Sequence, residues 1–444
     1  VQRLSNYRGL AVVIAALLLI YSLLPLGTAL QFGGDEGYEL MTGFLMSQGY
    51  ALYHPIWNDQ PPVLVLLLAA AFRVWGPSIL AARLIAAGFG LLLFTTFYQV
   101  TRPRLGQRAA WLATFFLLAS PGILEISVSV MQEVPAFALA LVSVWLLFQW
   151  RKTLHWPWLA ASGTMLGVAL GIKLTAILVV PALLVELCLP ANRKLGTAPA
   201  PGAVFRTLAK NLRPLLYWLL ATGLTFAAIT LLWGQGSFES SYRAHFAEHP
   251  VAGLPRPADF PLPLSVFVDH AEVVLAAAVG LMLVARHRQW RAFAFPLIML
   301  GTTLAVHLVH RPWWMYYYLH LAIPLAWLAG FAVNASFEYL TRLLAHPNSQ
   351  TPSVARPPRA PFSAPSRKTS YPLNSATPAH QTGSAIPQSG VNLASPQTWQ
   401  GLGIAVLLAL VLVRSESRLE GGIKDLRQRE RVADNPIVAQ MRAH

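Results

Sequence analysis

Apolar residues in this chain come in blocks long enough to cross a bilayer, and short polar stretches rich in Arg and Lys separate them. Arg3 and Arg8 precede the first block, 10–30, which at about 20 residues suffices for a spanning helix. Basic residues favour the cytoplasmic side, so this N-terminus is expected inside and residue 35 outside. No small-residue cleavage pattern follows the block, which reads as a retained helix. The next apolar stretch, 61–76, is interrupted by Arg73 and runs only about 14 residues between its prolines. If it crossed, 78–100 would carry Arg102, Arg104 and Arg108 to the outer side; as a helix lying in the outer interface it leaves the bias intact.

With that choice the later blocks alternate cleanly. Residues 78–100 go in, 109–123 out, 134–150 in to Arg151 and Lys152, 158–172 out and 175–189 in to a basic cytoplasmic loop. Residues 214–234 emerge into a long loop ending near Ser265, 266–285 return, 292–309 go out and 315–340 come back. A short last span follows at 402–413. The predicted fold class is an all-α polytopic membrane protein of about 11 transmembrane helices, with interfacial helices in its first outer loop.

Composition narrows the function classes. The 444 residues are 55% hydrophobic and 11% charged, too apolar for an ordinary soluble domain. The net charge of +15 is spread between apolar blocks and forms no single basic face, which favours membrane topology over nucleic-acid binding. One cysteine, Cys188, excludes an intrachain disulfide framework and a cysteine metal cage. Residues 346–398 turn to Pro, Ser, Ala, Thr and Gln without an acid, the composition of a disordered cytoplasmic linker. The expected organisation is a transmembrane core at 1–345, the linker, a last helix at 399–413, and an outer tail at 414–444 that reads as the start of a truncated C-terminal domain.

Candidate chemistry collects on the outer side. Gly33-Gly34-Asp35-Glu36-Gly37-Tyr38-Glu39 packs three carboxylates into five residues at a membrane edge, where charge is costly unless solvated, paired or used. Asp35 reads as the helix N-cap and residue of choice for chemistry, Glu36 as a second acid, and Glu39 as a solvated neighbour. Glu133, in Met131-Gln132-Glu133-Val134-Pro135, opens an apolar helix where the dipole stabilises an anion. Lys173, Arg83 and Arg311 are outward cations against the topological bias, suited to an anionic lipid phosphate, with snorkelling to ordinary headgroups as the plainer alternative. His307 and His310 have the i,i+3 spacing of metal ligands but lack an established carboxylate partner, so helix-end packing is the better reading and a metal stays an open question. Trp313, Trp314 and Tyr316-Tyr317-Tyr318 read first as an interfacial belt and second as a sugar-stacking surface.

These residues carry a resemblance. Gly34-Asp35-Glu36-Gly37-Tyr38, Asn58-Asp59-Gln60-Pro61-Pro62, Gly76-Pro77-Ser78, Ala82-Arg83-Leu84, Met131-Gln132-Glu133, Gly171-Ile172-Lys173-Leu174-Thr175 and Tyr317-Tyr318-Leu319-His320-Leu321 follow in the order found in the C-type (GT-C) glycosyltransferases. The chain resembles their protein O-mannosyltransferase and lipid A aminoarabinose transferase branch over residues 8–335. The resemblance implies an inverting enzyme that moves a sugar from a polyprenyl-monophosphate carrier to an acceptor hydroxyl of a lipid, glycan or protein, at the outer face of a bacterial-type inner membrane. It implies catalytic roles for Asp35, Glu36 and Glu133, and donor-phosphate contacts from Lys173, Arg83, Arg311 and Gln60. Asp59, Tyr38, Tyr317 and His310 are the expected acceptor or sugar contacts. Gln60 stands where many relatives carry Lys, which shifts phosphate binding to the other cations. No soluble cofactor is required, since the carrier phosphate is itself the leaving group; a divalent metal is left open. A transporter or flippase of lipid-linked substrates is the alternative, and it would place ionisable residues at mid-span.

Overall fold

The computed structural model describes residues 2–27, 33–189, 203–233, 261–345 and 396–428, with Gly236 and Glu239. The linker expected at 346–398 and most of the long loop after residue 234 lie outside these. The chain divides into two units, residues 1–335 with 408–444, and residues 336–407. In the second, residues 336–345 and 396–407 are helical, and Glu338 pairs with Arg342 at 3.7 Å.

The described residues are helical almost throughout, with no named strand. In order they form α1 (Gln2–Ser22), α2 (Gly33–Ser47), α3 (Val63–Trp75), α4 (Ile79–Leu105), α5 (Gln107–Ala119), α6 (Ile123–Ile126), α7 (Glu133–Thr153) and α8 (Trp156–Leu170). A 3₁₀ turn (Leu174–Val179) leads into α9 (Val180–Cys188). Then come α10 (Ala203–Trp233), α11 (Ser265–Asp269), α12 (Ala271–Arg286), α13 (Ala294–Val309), α14 (Tyr318–Ala345) and α15 (Pro396–Gln428). Four described segments are both long and apolar enough to cross a membrane: Ile79–Leu105, Glu133–Thr153, Leu212–Trp233 and Met315–Arg342. Other apolar runs are broken into shorter pieces. The run at 109–123 stops at Ser120-Pro121, 175–189 starts as the 3₁₀ turn, and 266–285 is divided at His270.

Two ends of the bundle are pinned by buried charge. At one, Glu186 near the end of α9 is 1% exposed and takes Arg104 of α4 at 2.8 Å on one carboxylate oxygen and Arg151 of α7 on the other. Arg104 also reaches the carbonyl of Ala292, just before α13, at 3.1 Å. The starts of α4 and α7 lie at the opposite end, because a 21-residue helix such as α7 is about 30 Å long. There Arg83 of α4 donates to Glu36 of α2 at 2.9 and 2.8 Å and to the carbonyl of Leu26 after α1 at 2.9 Å. This head-to-tail alternation follows the order read from the basic loops.

Helix α3 starts and finishes at the Glu36 end. The amide of Val63 donates to the carbonyl of Gly171 beside Lys173 at 3.0 Å, and Trp75 is followed within four residues by α4. A 13-residue helix is about 20 Å long, short of the hydrocarbon core, and α3 lies across the bundle end. It buries Leu64, Val65, Leu68 and Phe72, and its Arg73 caps the last carbonyls of α2, Met46 at 3.0 Å and Ser47 at 3.4 Å.

Candidate active site

Helix α2 begins at Gly33, so Asp35 sits inside the first turn and is not the N-cap expected for it. It is exposed. Its neighbour Glu36 turns inward and is 2% exposed; besides Arg83, its carboxylate accepts the amide of Val130 at 3.0 Å. Arg83 is fully buried, so the Glu36–Arg83 pair ties α1, α2, α4 and the approach to α7 together. The pair is internally satisfied, and positioning is the chemistry it is equipped for.

One turn on, Glu39 is buried, not solvated. Its Oε1 accepts from Gln132 Nε2 at 2.7 Å, while its Oε2 has no hydrogen-bond partner among the described residues. Burial, reinforced by Glu133 and Asp59 and opposed by Lys173, pushes its carboxyl up to about 8. Gln132 immediately precedes Glu133, which is fully buried and receives Lys173 Nζ on Oε1. Burial alone would lower Lys173, but Glu133, then Tyr317, carries it above the ordinary lysine value. The ammonium also lies over the ring of Tyr316 at 4.8 Å and that of Tyr317 at 5.7 Å, a cation–π arrangement.

The tyrosines join the first loop to this pair, since Asp35, Asp59 and Glu133 all act electrostatically on Tyr316 and Tyr317. Tyr38 donates to the carbonyl of Trp57 at 2.5 Å and meets its ring edge-on. Asp59 is half-buried. Gln60 is held through its backbone, its carbonyl accepting from Tyr53 at 2.7 Å and its amide donating to Asn58 at 3.2 Å. His310 is half-buried and Arg311 exposed in the turn after α13. His307 pairs with His320, ring nitrogens 3.0 Å apart, and both rings stack on Tyr317 at 5.2–5.3 Å. Trp313, Tyr317 and Tyr318 are buried, so the aromatic run serves the interior as much as any interface. Among the described residues no group of three or more His, Cys, Asp or Glu is placed to hold a metal ion.

The sequence marks Glu39 only as a solvated neighbour in the acidic cluster, and assigns no role to Gln132 or to a His307–His320 pair. Gln132 had a signal, its place in the Met131-Gln132-Glu133 motif. Glu39 had only its spacing from Asp35.

The helical fold is similar to that of GT-C membrane glycosyltransferase structures. Residues 59–218 match the model of the dolichyl-phosphate-mannose-protein mannosyltransferase family. The structure is similar to that of ArnT from Cupriavidus metallidurans in the apo state, with TM-score 0.52, 18% identity, and 77% of this chain and 63% of that one covered. For ArnT bound to undecaprenyl phosphate the figures are 0.55, 16%, 94% and 76%. Arabinosyltransferase EmbB from Mycobacterium smegmatis gives 0.56 and 15%, covering 95% of this chain and 41% of EmbB. The chain thus spans less than two thirds of apo ArnT and of EmbB. No curated protein sequence matches it significantly.

Proposed function

We propose that the chain is an inverting glycosyltransferase that takes a sugar from a polyprenyl-monophosphate carrier and passes it to an acceptor hydroxyl at the outer face of the membrane. The observation that carries this reading is the gathering, at one bundle end, of an exposed carboxylate, Asp35, with the buried Lys173–Glu133 pair beneath Tyr316 and Tyr317. In the proposed reaction Asp35 accepts the acceptor's proton as its oxygen bonds to the anomeric carbon. The bond to the carrier phosphate breaks, and the phosphate leaves with the electron pair. Lys173 stabilises that charge, with Arg311 and Gln60 at the rim, while Asp59, Tyr38, Tyr317 and His310 shape the sugar and acceptor contacts. A carrier of this kind is bound in the similar ArnT structure. Arg83 and Glu36 hold α2 against α4, and so hold Asp35 in register.

The test is transfer from labelled polyprenyl-phosphate sugars to candidate lipid, glycan and protein acceptors. Asp35→Asn should lower the rate by about 10²–10⁴-fold with little change in carrier binding. Lys173→Gln should weaken binding of the carrier itself. Equal rates for wild type and Asp35→Asn would remove Asp35 from the chemistry. Transfer that survives EDTA would agree with a leaving group stabilised by protein cations alone.

A further inference from the structure

The proposed reaction makes no use of Glu39, yet this residue is among the most constrained in the cluster. It faces Gln132 just before α7 and Glu133 at its start, Lys173 from the turn before the 3₁₀ segment, and Asp59 from the approach to α3; Tyr38, beside it on α2, is a neutral phenol that feels its charge. Two buried carboxylates, Glu39 and Glu133, therefore share one ammonium, and that ammonium is already bonded to Glu133. Glu39 has a neutral donor, Gln132, on one oxygen and no described partner on the other. With Glu39 ionised the trio Glu39, Glu133 and Lys173 carries a net charge of minus one. With Glu39 protonated it is neutral, and a phosphate approaching Lys173 meets one repelling carboxylate fewer.

Resting on the function proposed above, we infer that Glu39 must hold a proton for an anionic lipid-phosphate headgroup to bind beside Lys173. The same proton leaves Gln132 free to donate to Oε1 without leaving a bare charge, so the bond that keeps α2 in register on α7 persists as the headgroup arrives. The position of this carboxyl, pushed up to about 8, puts loss of the proton at the upper edge of the physiological range.

The experiment measures binding of undecaprenyl phosphate to the purified full chain in nanodiscs across about pH 6.5 to 9.5, for wild type and Glu39→Gln, with inorganic phosphate as a parallel ligand. A single linked proton weakens wild-type binding by up to about tenfold per pH unit above its pKa. Glutamine keeps the neutral acceptor for Gln132 and cannot ionise, so Glu39→Gln should hold a level affinity from about pH 7.5 upward and exceed wild type at the alkaline end. The lipid's own second ionisation, near about pH 6, is common to both proteins and cancels in their ratio. Glu39→Leu, which removes the acceptor, should also have level affinity at high pH but should lower the transfer rate by releasing α2. Identical alkaline profiles for wild type and Glu39→Gln overturn the inference and leave the function standing. Failure of wild type to bind the lipid at any pH overturns the proposed function as well. Inorganic phosphate matching the lipid in affinity and profile would assign the site to free phosphate and overturn the lipid-headgroup inference.

Discussion

Burial decides what each charged residue can do. Arg83 and Glu36 are 0% and 2% exposed and bonded bidentately through Nε and Nη2, so Arg83→Met leaves an uncompensated buried carboxylate. Loss of about 3–5 kcal/mol of unfolding free energy is expected, partly recovered in the double variant Arg83→Met with Glu36→Leu. Denaturant unfolding in detergent reads both values. Glu39 gives a prediction of pH dependence. Its folded carboxyl sits at about 8, above the ordinary value of 4.5, so its stabilising proton is fully held below 4.5 and lost as pH rises through about 8. The unfolding midpoint of Glu39→Gln should rise relative to wild type from about pH 5 to about pH 8 and level off beyond; a constant difference would assign the titration elsewhere. Asp35, Glu133 and Lys173 could be singled out from sequence because each breaks a local rule of membrane topology. Glu39 could not, because its hydrogen-bond partner Gln132 is 93 residues away in sequence, and nothing nearby announces that contact.

At the scale of elements, spacing in the sequence was a good guide to long helices and a poor one to breaks. Helices α4 and α7 follow their apolar blocks closely. The block at 175–189 does not become one helix: its first turn tightens to 3₁₀ geometry and Pro181 opens α9, a local choice that an apolar run cannot display. The contact between α8 and α10 depends on Gly163 and Gly167. A β-carbon on Gly163 would lie 2.6 Å from the carbonyl oxygen of Trp218, and one on Gly167 would lie 2.7 Å from that of Thr222. Glycines four apart let two backbones approach where lipid offers no hydrophobic drive to association. Trp218 Nε1 then reaches Ser162 at 3.1 Å, and Ser162 reaches Ser143 of α7 at 3.0 Å. Gly167→Ala should cost about 1–3 kcal/mol by forcing α10 away, read as a lower unfolding midpoint. Of the tail expected beyond 413, residues 414–428 continue α15, and Arg414 and Arg418 reach the buried Glu272 at 3.5 and 2.5 Å, with Leu426 2% exposed.

For the whole molecule, the buried charge around Glu186 lies at the end away from the proposed chemistry, whereas the Arg83–Glu36 pair lies beside it. Glu186 anchors α4, α7 and α9 at the end away from Asp35, where Cys188 also lies on α9. Glu186→Gln should reduce unfolding free energy by about 3 kcal/mol while leaving transfer per folded molecule intact. The basic loops predict the side of the membrane on which each end lies, and that topology can be tested independently of activity. In a Cys188→Ser background, Asp35→Cys should react with a membrane-impermeant maleimide in intact cells. His287→Cys, exposed beyond the end of α12, should react only after permeabilisation. The reverse pattern would put Asp35 on the cytoplasmic side, and an outer-face transferase would then be untenable, because the acceptor hydroxyl and the deprotonating carboxylate have to share one aqueous compartment.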